Sequence, residues 1–321
     1  MLCNGCKHKQ AAGLVPVTRL AESIANKWVD KMWPVVEDYQ EKLKSYIPNI
    51  TSKGIPEGLY YLLVSVTDDM RRSLGTYNRY TLSEYKETPT LKNIKADDTF
   101  KTIVVKLNVE TRNVKSYTSG LDLGEFVPAG DTSTNHARIV VHINHIMMSN
   151  LLTYRGVYRD ALENTLTSVL GHELHHAADW AYQQAINKNK FNLVNRRQQV
   201  PDSMADDTKK VRYYNSDTEL KSWAITVGHD IVANIVGTNI WERPSTSATG
   251  STEYLTKYIN KYLNMGQEVY WDYAKGYLSK QEIWDYLLPE NRKKFIQRVW
   301  SYVRKELEHT LNQLEQREAN Q

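Results

Sequence analysis

Residues 166–180, LTSVLGHELHHAADW, combine a helical apolar pattern with side chains that can hold and use a metal ion. The apolar positions recur every three or four residues and predict a helix from about Asp160 to about Ile186. Within it, His172, Glu173 and His176 form an H-E-x-x-H motif. Residues four apart share one helix face, so both imidazoles can point at one ion while Glu173 faces a water bound to it.

The motif alone is a weak signal, because any helix can carry two histidines and a glutamate by chance. Its surroundings strengthen it. In a helix this apolar, such side chains need polar partners, which favours a metal site over coincidence. The stretch 169–178, VLGHELHHAA, resembles the zincin metallopeptidases. The resemblance implies Zn²⁺ bound by His172 and His176, with Glu173 as the catalytic base. It assigns no task to His175.

A catalytic zinc site needs a third protein ligand, and Glu219 is the main candidate. It begins a predicted amphipathic helix over 216–236, at the border of its apolar stripe. The segment 218–224, TELKSWA, resembles the context in which glutamate-type zincins place their third ligand. A competing interpretation remains open: Ser216 and Glu219 form S-x-x-E, a capping box that explains the glutamate without a metal.

Other side chains compete with Glu219 less well. Asp179 follows His176 on about the same face, although it is favoured as a hydrogen-bond acceptor for a ligand histidine or as an exposed helix residue. Asp217 and Asp230 are weaker candidates, and His229 is predicted to be a satisfied histidine. The metzincin branch requires G-x-x-H after the second histidine, where this chain has Asp179 and Tyr182.

The composition describes a globular chain without a bias toward nucleic acid or membrane. Its 321 residues carry a formal net charge of +4, with 41% hydrophobic and 24% charged residues. No dense Lys/Arg stripe lies beside aromatic residues, which argues against a nucleic-acid partner. No apolar run approaches the roughly 18 residues that span a bilayer, and the first twenty residues lack a signal-peptide core. We therefore expect a cytoplasmic protein with no membrane partner.

Both cysteines, Cys3 and Cys6, lie near the N-terminus, so no disulfide framework is expected. Together with His8 they have a spacing that a metal could use, but a closed zinc site needs four ligands. Residues 1–16 are therefore predicted to be a flexible tail with two free thiols.

The predicted fold is α+β and zincin-like, with a small N-terminal sheet and a mainly helical C-terminal lobe. Residues 17–187 form the first lobe, 188–215 a connection and 216–321 the second lobe. The first lobe begins with helical sequence over 17–47, which Pro34 is expected to split or kink. The predicted strands are 59–66, 102–109 and 137–147, and the polar stretches 67–101 and 113–135 connect them.

His142 and His145 lie three apart on the last predicted strand, so they point to opposite faces and cannot both bind one ion. Each is predicted to be an ordinary strand residue, with contact to a substrate as the less favoured alternative.

The second lobe is predicted to be helical over 216–236, 252–277, 280–288 and from Pro289 onward. The last run carries a narrow apolar seam. Its first half is expected to pack on its own lobe. Beyond Glu308, docking on a protein partner or a second copy is an equal alternative.

Two functions follow from these patterns. The first is a zinc-dependent metallopeptidase that cleaves protein or peptide, with Glu173 activating a water on the zinc and a tyrosine such as Tyr213 or Tyr214 stabilising the oxyanion. The second is a structural or assembly protein that keeps the fold and perhaps the zinc. Small H-E-x-x-H proteins of this kind are common in phage and bacterial genomes, which makes a virion location part of this alternative.

Overall fold

The computed structural model describes residues 14–44, 57–84, 97–109, 123–129, 136–143, 159–187, 202–236, 252–280 and 282–319. The helices are α1 (Leu14–Lys44), α2 (Glu57–Leu74), α3 (Asp97–Lys101), α4 (Arg159–Asn187), α5 (Thr208–Tyr214), α6 (Asp217–Val236), α7 (Thr252–Leu263), α8 (Val269–Lys280) and α9 (Pro289–Ala319). The strands are β1 (Arg79–Thr81), β2 (Val104–Val109), β3 (Gly124–Val127) and β4 (Arg138–Ile143). Turns of 3-10 helix cover Gly75–Asn78, Leu82–Glu84, Asp202–Asp207 and Trp284–Tyr286.

The four strands form one mixed sheet in the order β1-β2-β4-β3. The central strands β2 and β4 are parallel, with Val105 opposite Ile139 and Asn108 opposite His142. Strands β1 and β3 pair antiparallel at the two sides. Alternate residues of β2 and β4 are buried, as expected when one sheet face lies on a core. The prediction of an α+β fold is confirmed at this level: mostly helix with one small sheet.

Two apolar cores divide the described residues. The first joins α1, α2, α4 and the buried sheet face, and its largest buried side chains include Trp28, Phe100 and Leu20. The second joins α6, α7, α8 and α9 through side chains such as Leu220, Ile259 and Phe295. Helix α4 packs against α1 and also against α6, so the H-E-x-x-H helix lies between the two cores.

The prediction of a strand over 59–66 is wrong, because these residues belong to α2. The β-branched and aromatic residues there favour a strand on propensity alone. However, the buried side chains Leu63, Val66, Met70 and Leu74 follow a spacing of three and four that continues past the run. A helix with this stripe buries them all against the first core, and burial outweighs intrinsic propensity.

Strands β1 and β3 lie within stretches that were predicted to be polar connections. They are three and four residues long, and neither has a fully buried residue. Strands this short and this exposed lack the apolar alternation from which a strand is predicted. The predicted strands over 102–109 and 137–147 are confirmed over 104–109 and 138–143, while 144–147 lie outside the described residues.

Pro34 does not divide the first helix, since α1 runs through it from Leu14 to Lys44.

The predicted connection over 188–215 is helical in its second part, where α5 buries Val211. The predicted helix over 252–277 is two helices, α7 and α8, and the predicted short helix over 280–288 is a 3-10 turn at Trp284–Tyr286. The lobe boundaries themselves stay predictions, and most of the tail, with Cys3, Cys6 and His8, lies outside the described residues.

The apolar seam of α9 is used within the chain. Leu307 is fully buried in the second core, and Leu311 and Leu314 pack against the same core while remaining partly exposed. A partner for this helix stays a prediction. Among the described residues, no helix combines the length and the apolar character needed to cross a membrane.

A glycine sets the distance between α6 and α9. A Cβ on Gly228 would lie 2.4 Å from Cδ1 of Tyr302, which is fully buried. The absence of a side chain at Gly228 therefore lets the tyrosine ring lie directly on the backbone of α6. Gly276, in the middle of α8, is exposed and has open space where a Cβ would be.

We expect Gly228→Ala to lower the free energy of unfolding by about 1–3 kcal/mol, because it forces the Tyr302 ring out of a packed position. Gly276→Ala is the matched control and should raise it by about 0.5–1 kcal/mol, since alanine is the better helix former. Denaturant unfolding of both variants measures this. Equal effects of the two substitutions would contradict the close packing at Gly228.

The first and last described helices are joined by a buried polar contact. Arg19 of α1 donates to Glu306 of α9 at 2.6 Å and to Glu22 at 2.7 Å. Nearby, the Tyr302 hydroxyl donates to Thr18 at 3.3 Å. Burial raises the pKa of Glu306 to about 7, although Arg19 acts in the opposite direction. The folded protein therefore holds a proton on Glu306 at a pH where the unfolded chain has released it.

This raised pKa predicts a specific pH dependence. Stability from the protonated Glu306 is fully present below about pH 4.5 and is lost as pH rises to about 7. We expect Glu306→Gln to match the native chain below pH 4.5 and to exceed its free energy of unfolding by about 1–3 kcal/mol at pH 8. Denaturant unfolding of both proteins from pH 4 to 8 checks it. Parallel curves would show that burial does not shift this carboxyl.

Candidate metal centre

The site is built where α4 packs on α6. Gly171, directly before His172, allows the close approach, because a Cβ there would lie 3.2 Å from Cγ2 of Ile225. Trp223 of α6 lies edge-on to the His172 ring, with the ring centroids 5.0 Å apart. The histidine face of α4 is thus turned toward α6, as the four-residue spacing of His172 and His176 requires.

Glu219 lies opposite these histidines and is fully buried. Its Oε1 is 3.3 Å from Nε2 of His176. One ligand atom from each of His172, His176 and Glu219 can be chosen so that all three lie within 4.8 Å of one another. In the part of the chain that the structure describes, no other group of three histidine, cysteine or acidic side chains meets this condition. The group could bind a metal ion.

The capping interpretation of Ser216 and Glu219 is correct for the backbone but not for the carboxylate. The backbone N–H of Glu219 donates to Oγ of Ser216 at 3.2 Å, so Ser216 caps α6. The side chain of Glu219 turns instead toward His176. The two interpretations therefore coexist, since capping uses the main chain of Glu219 and leaves its carboxylate for another partner.

The electrostatics of the group suit a cation. Burial lowers the pKa of His172 to about 3 and that of His176 well below its usual value, so both rings are neutral. Burial raises the pKa of Glu219 to about 7, while nearby Tyr213 and Trp223 lower it. Within the described residues, neither Glu219 oxygen has a partner at full hydrogen-bond geometry. Buried carboxylates are costly without a partner, and a divalent cation between these lone pairs would supply one.

Glu173 is buried on α4 next to the edge of the sheet. A Cβ on Gly124 of β3 would lie 2.9 Å from its Cγ and 3.1 Å from its Oε1. Glycine at this position therefore lets the strand pass directly beside the glutamate. The bare motif gives no sign of this contact, because Gly124 lies in a stretch that was predicted to be a loop.

Of the two tyrosines proposed as donors, Tyr213 is the one beside the group. Burial and the adjacent Glu219 carboxylate raise its pKa, so its hydroxyl keeps its proton. The charge of Glu173 also raises the pKa of this hydroxyl. Tyr214 instead stacks on Tyr286, with ring centroids 5.9 Å apart, and packs against the second core.

The competing acidic residues have other partners. Asp179 accepts a hydrogen bond from Thr218 at 2.8 Å, which ties α4 to the start of α6. Asp217 pairs with Lys221 at 2.7 Å and with Arg298; these two cations overcome the effect of burial and lower its pKa to about 2. Asp230 accepts from Tyr273. None of these belongs to the group of His172, His176 and Glu219.

His175, His229 and His142 do not belong to the group of His172, His176 and Glu219. His175 is buried beside Asp179 and Lys221, and burial lowers its pKa to about 4. The pKa of His229 is also lowered by burial. His142 contacts Asn108 on the neighbouring strand at 3.3 Å, while His145 lies outside the described residues.

Models of known protein families, curated proteins and solved structures were compared with the chain, and none of them matches it. The function of the site must therefore be inferred from its own residues.

We expect Glu219→Gln to weaken zinc binding without lowering the stability of the metal-free protein. Without metal, the variant should unfold at the same temperature or higher at pH 8, because it removes a buried charge. Zinc at a hundredfold excess over its dissociation constant should stabilise the native chain by about 2.7 kcal/mol and the variant hardly at all. Thermal unfolding with and without zinc measures both effects.

Ser216→Ala is the control for the cap. It should cost about 1 kcal/mol with and without zinc, because only the helix cap is lost, and the stabilisation by zinc should remain. Equal stabilisation of the native chain and Glu219→Gln by zinc would exclude Glu219 as a ligand.

Proposed function

We propose that this chain is a zinc-dependent metallopeptidase of the zincin type, with His172, His176 and Glu219 as metal ligands. The observation that supports it most is the group of two neutral imidazoles and one fully buried carboxylate, supplied by two packed helices. Two histidines and a glutamate form a typical catalytic zinc set, which leaves a coordination position open. Zinc in such a set supplies Lewis acidity and lowers the pKa of water toward neutrality.

The other residues of the site have roles consistent with hydrolysis. Glu173 follows His172 directly and is positioned to take a proton from the attacking water and to return it to the leaving amine. The Tyr213 hydroxyl, which keeps its proton, is a suitable donor to the oxyanion that develops on the substrate. Glu173 has to accept a proton, whereas Tyr213 has to keep its own. The raised pKa of Tyr213 supports its role as a hydrogen-bond donor.

A peptide is the substrate class that the sheet favours. Strand β3 lies at the side of the described sheet and passes beside Glu173. The main chain of a strand at a sheet edge can pair with an extended peptide, which would bring its carbonyl groups near Glu173. This placement supports peptide hydrolysis over reactions on small substrates.

We expect Glu173→Gln to lower kcat/KM for peptide cleavage by about 10² to 10⁴, because general acid–base catalysis contributes about that much. Zinc content should stay the same, since Glu173 is not a proposed ligand. Glu163→Gln, on the same helix, is the matched control and should leave activity unchanged. Cleavage of a fluorogenic peptide library, with zinc measured on the same samples, tests this.

Cleavage by Glu173→Gln at the native rate would remove Glu173 from the mechanism. A native chain that binds zinc but cleaves no peptide in the library would instead favour the structural or assembly function.

A further inference from the structure

Two hydroxyl side chains of α6 contact the Nδ1 atoms of the two histidines in the group. Oγ1 of Thr226 lies 3.1 Å from Nδ1 of His172, and Oγ of Ser222 lies 3.4 Å from Nδ1 of His176. Glu219, Ser222 and Thr226 are spaced by three and four residues, so they share one face of α6. One helix therefore presents a proposed ligand and a polar contact for each of the other two.

The hydrogen-bond arrangement favours one position for the proton on His172. The Thr226 hydroxyl has one hydrogen, which it donates to the backbone carbonyl of Ser222 at 3.3 Å. With its hydrogen on that carbonyl, the hydroxyl acts as an acceptor toward Nδ1 of His172, 3.1 Å away. The same carbonyl of Ser222 also accepts from His172. This arrangement favours the proton on Nδ1, which leaves the lone pair of Nε2 free.

His176 is held less firmly. The Ser222 hydroxyl can either donate or accept, and on the other side of the ring Nε2 lies 3.3 Å from Oε1 of Glu219. Both tautomers of this ring have a partner when no metal is bound. The two histidines therefore differ: the neighbours of His172 favour one tautomer, whereas those of His176 suit both.

We propose that Thr226 and Ser222 are positioning residues of the metal site: Thr226 holds His172 in the tautomer that offers Nε2 to the metal, and Ser222 supports the same tautomer of His176. This inference rests on the metal site of the proposed function and goes beyond it by naming the groups that prepare the ligands. Ligand histidines commonly donate their second N–H to such an acceptor, which fixes ring orientation and tautomer. Thr226 should matter more than Ser222, because the Ser222 carbonyl is a second acceptor for its hydrogen and leaves its oxygen to accept from His172.

Zinc affinity of the full chain tests the positioning roles. Competition with a chromogenic chelator should show binding weakened by about 10–100-fold in Thr226→Val, which keeps the shape and removes the acceptor. Thr226→Ser keeps the hydroxyl, and its zinc affinity should be within about threefold of that of the native chain. Ser222→Ala should fall between these two. Thermal unfolding of the metal-free variants confirms that they are folded.

A second readout separates positioning from packing. Nitrogen-15 NMR of metal-free protein labelled at histidine should show His172 protonated at Nδ1 in the native chain and in Thr226→Ser. In Thr226→Val the signal should shift toward a mixture of both tautomers, because one acceptor is gone.

Two results would overturn the proposal: native zinc affinity in Thr226→Val, or equal loss of affinity in Thr226→Val and Thr226→Ser. In either case the native chain still binds zinc, so the proposed function survives. If the native chain binds no zinc, both proposals fail together.

Discussion

The burial of the Glu219 carboxylate against two neutral imidazoles is the constraint on which this structure depends. Such a carboxylate costs free energy unless a cation or several donors lie beside it. The chain nevertheless places it at the centre of the contact between α4 and α6, with no exposed surface. Helices packed this way gain stability from the apolar residues around the site rather than from the site itself. Such an unfavourable burial is typical of functional positions, where polar groups are kept for binding rather than for folding.

The two helices that meet at the carboxylate belong to different cores. Helix α4 is buried among α1 and the sheet, while α6 is buried among α7, α8 and α9. Gly171 brings α4 close to Ile225 of α6, and Gly228, three residues further along α6, brings Tyr302 of α9 close to the same helix. The contact of Arg19 with Glu306 joins the outer helices of the two cores. The spacing of the ligands is therefore determined by packing that lies mostly outside the site.

Local periodicity made part of this structure predictable. The positions of His172 and His176 on one helix face follow from a period of 3.6 residues, and the apolar stripe of α6 placed Glu219 at its border. Residues 59–66 were misassigned because a short apolar run rich in β-branched residues fits the helical period and the strand period equally well. Strands β1 and β3 are held by pairing with distant partners, a contact that leaves little local pattern. The contact of Thr226 with His172 depends on the rotation of α6 relative to α4, which no single segment specifies.

The link between Arg19 and Glu306 spans 287 positions of the sequence. During synthesis the chain grows from its N-terminus, so both histidines and Glu219 leave the ribosome well before the helix that carries Glu306 and Tyr302. Contacts of such long sequence separation form late, because closing the intervening loop costs entropy. His172, His176 and Glu219 are therefore synthesised before the helix α9, whose packing against α6 completes their surroundings.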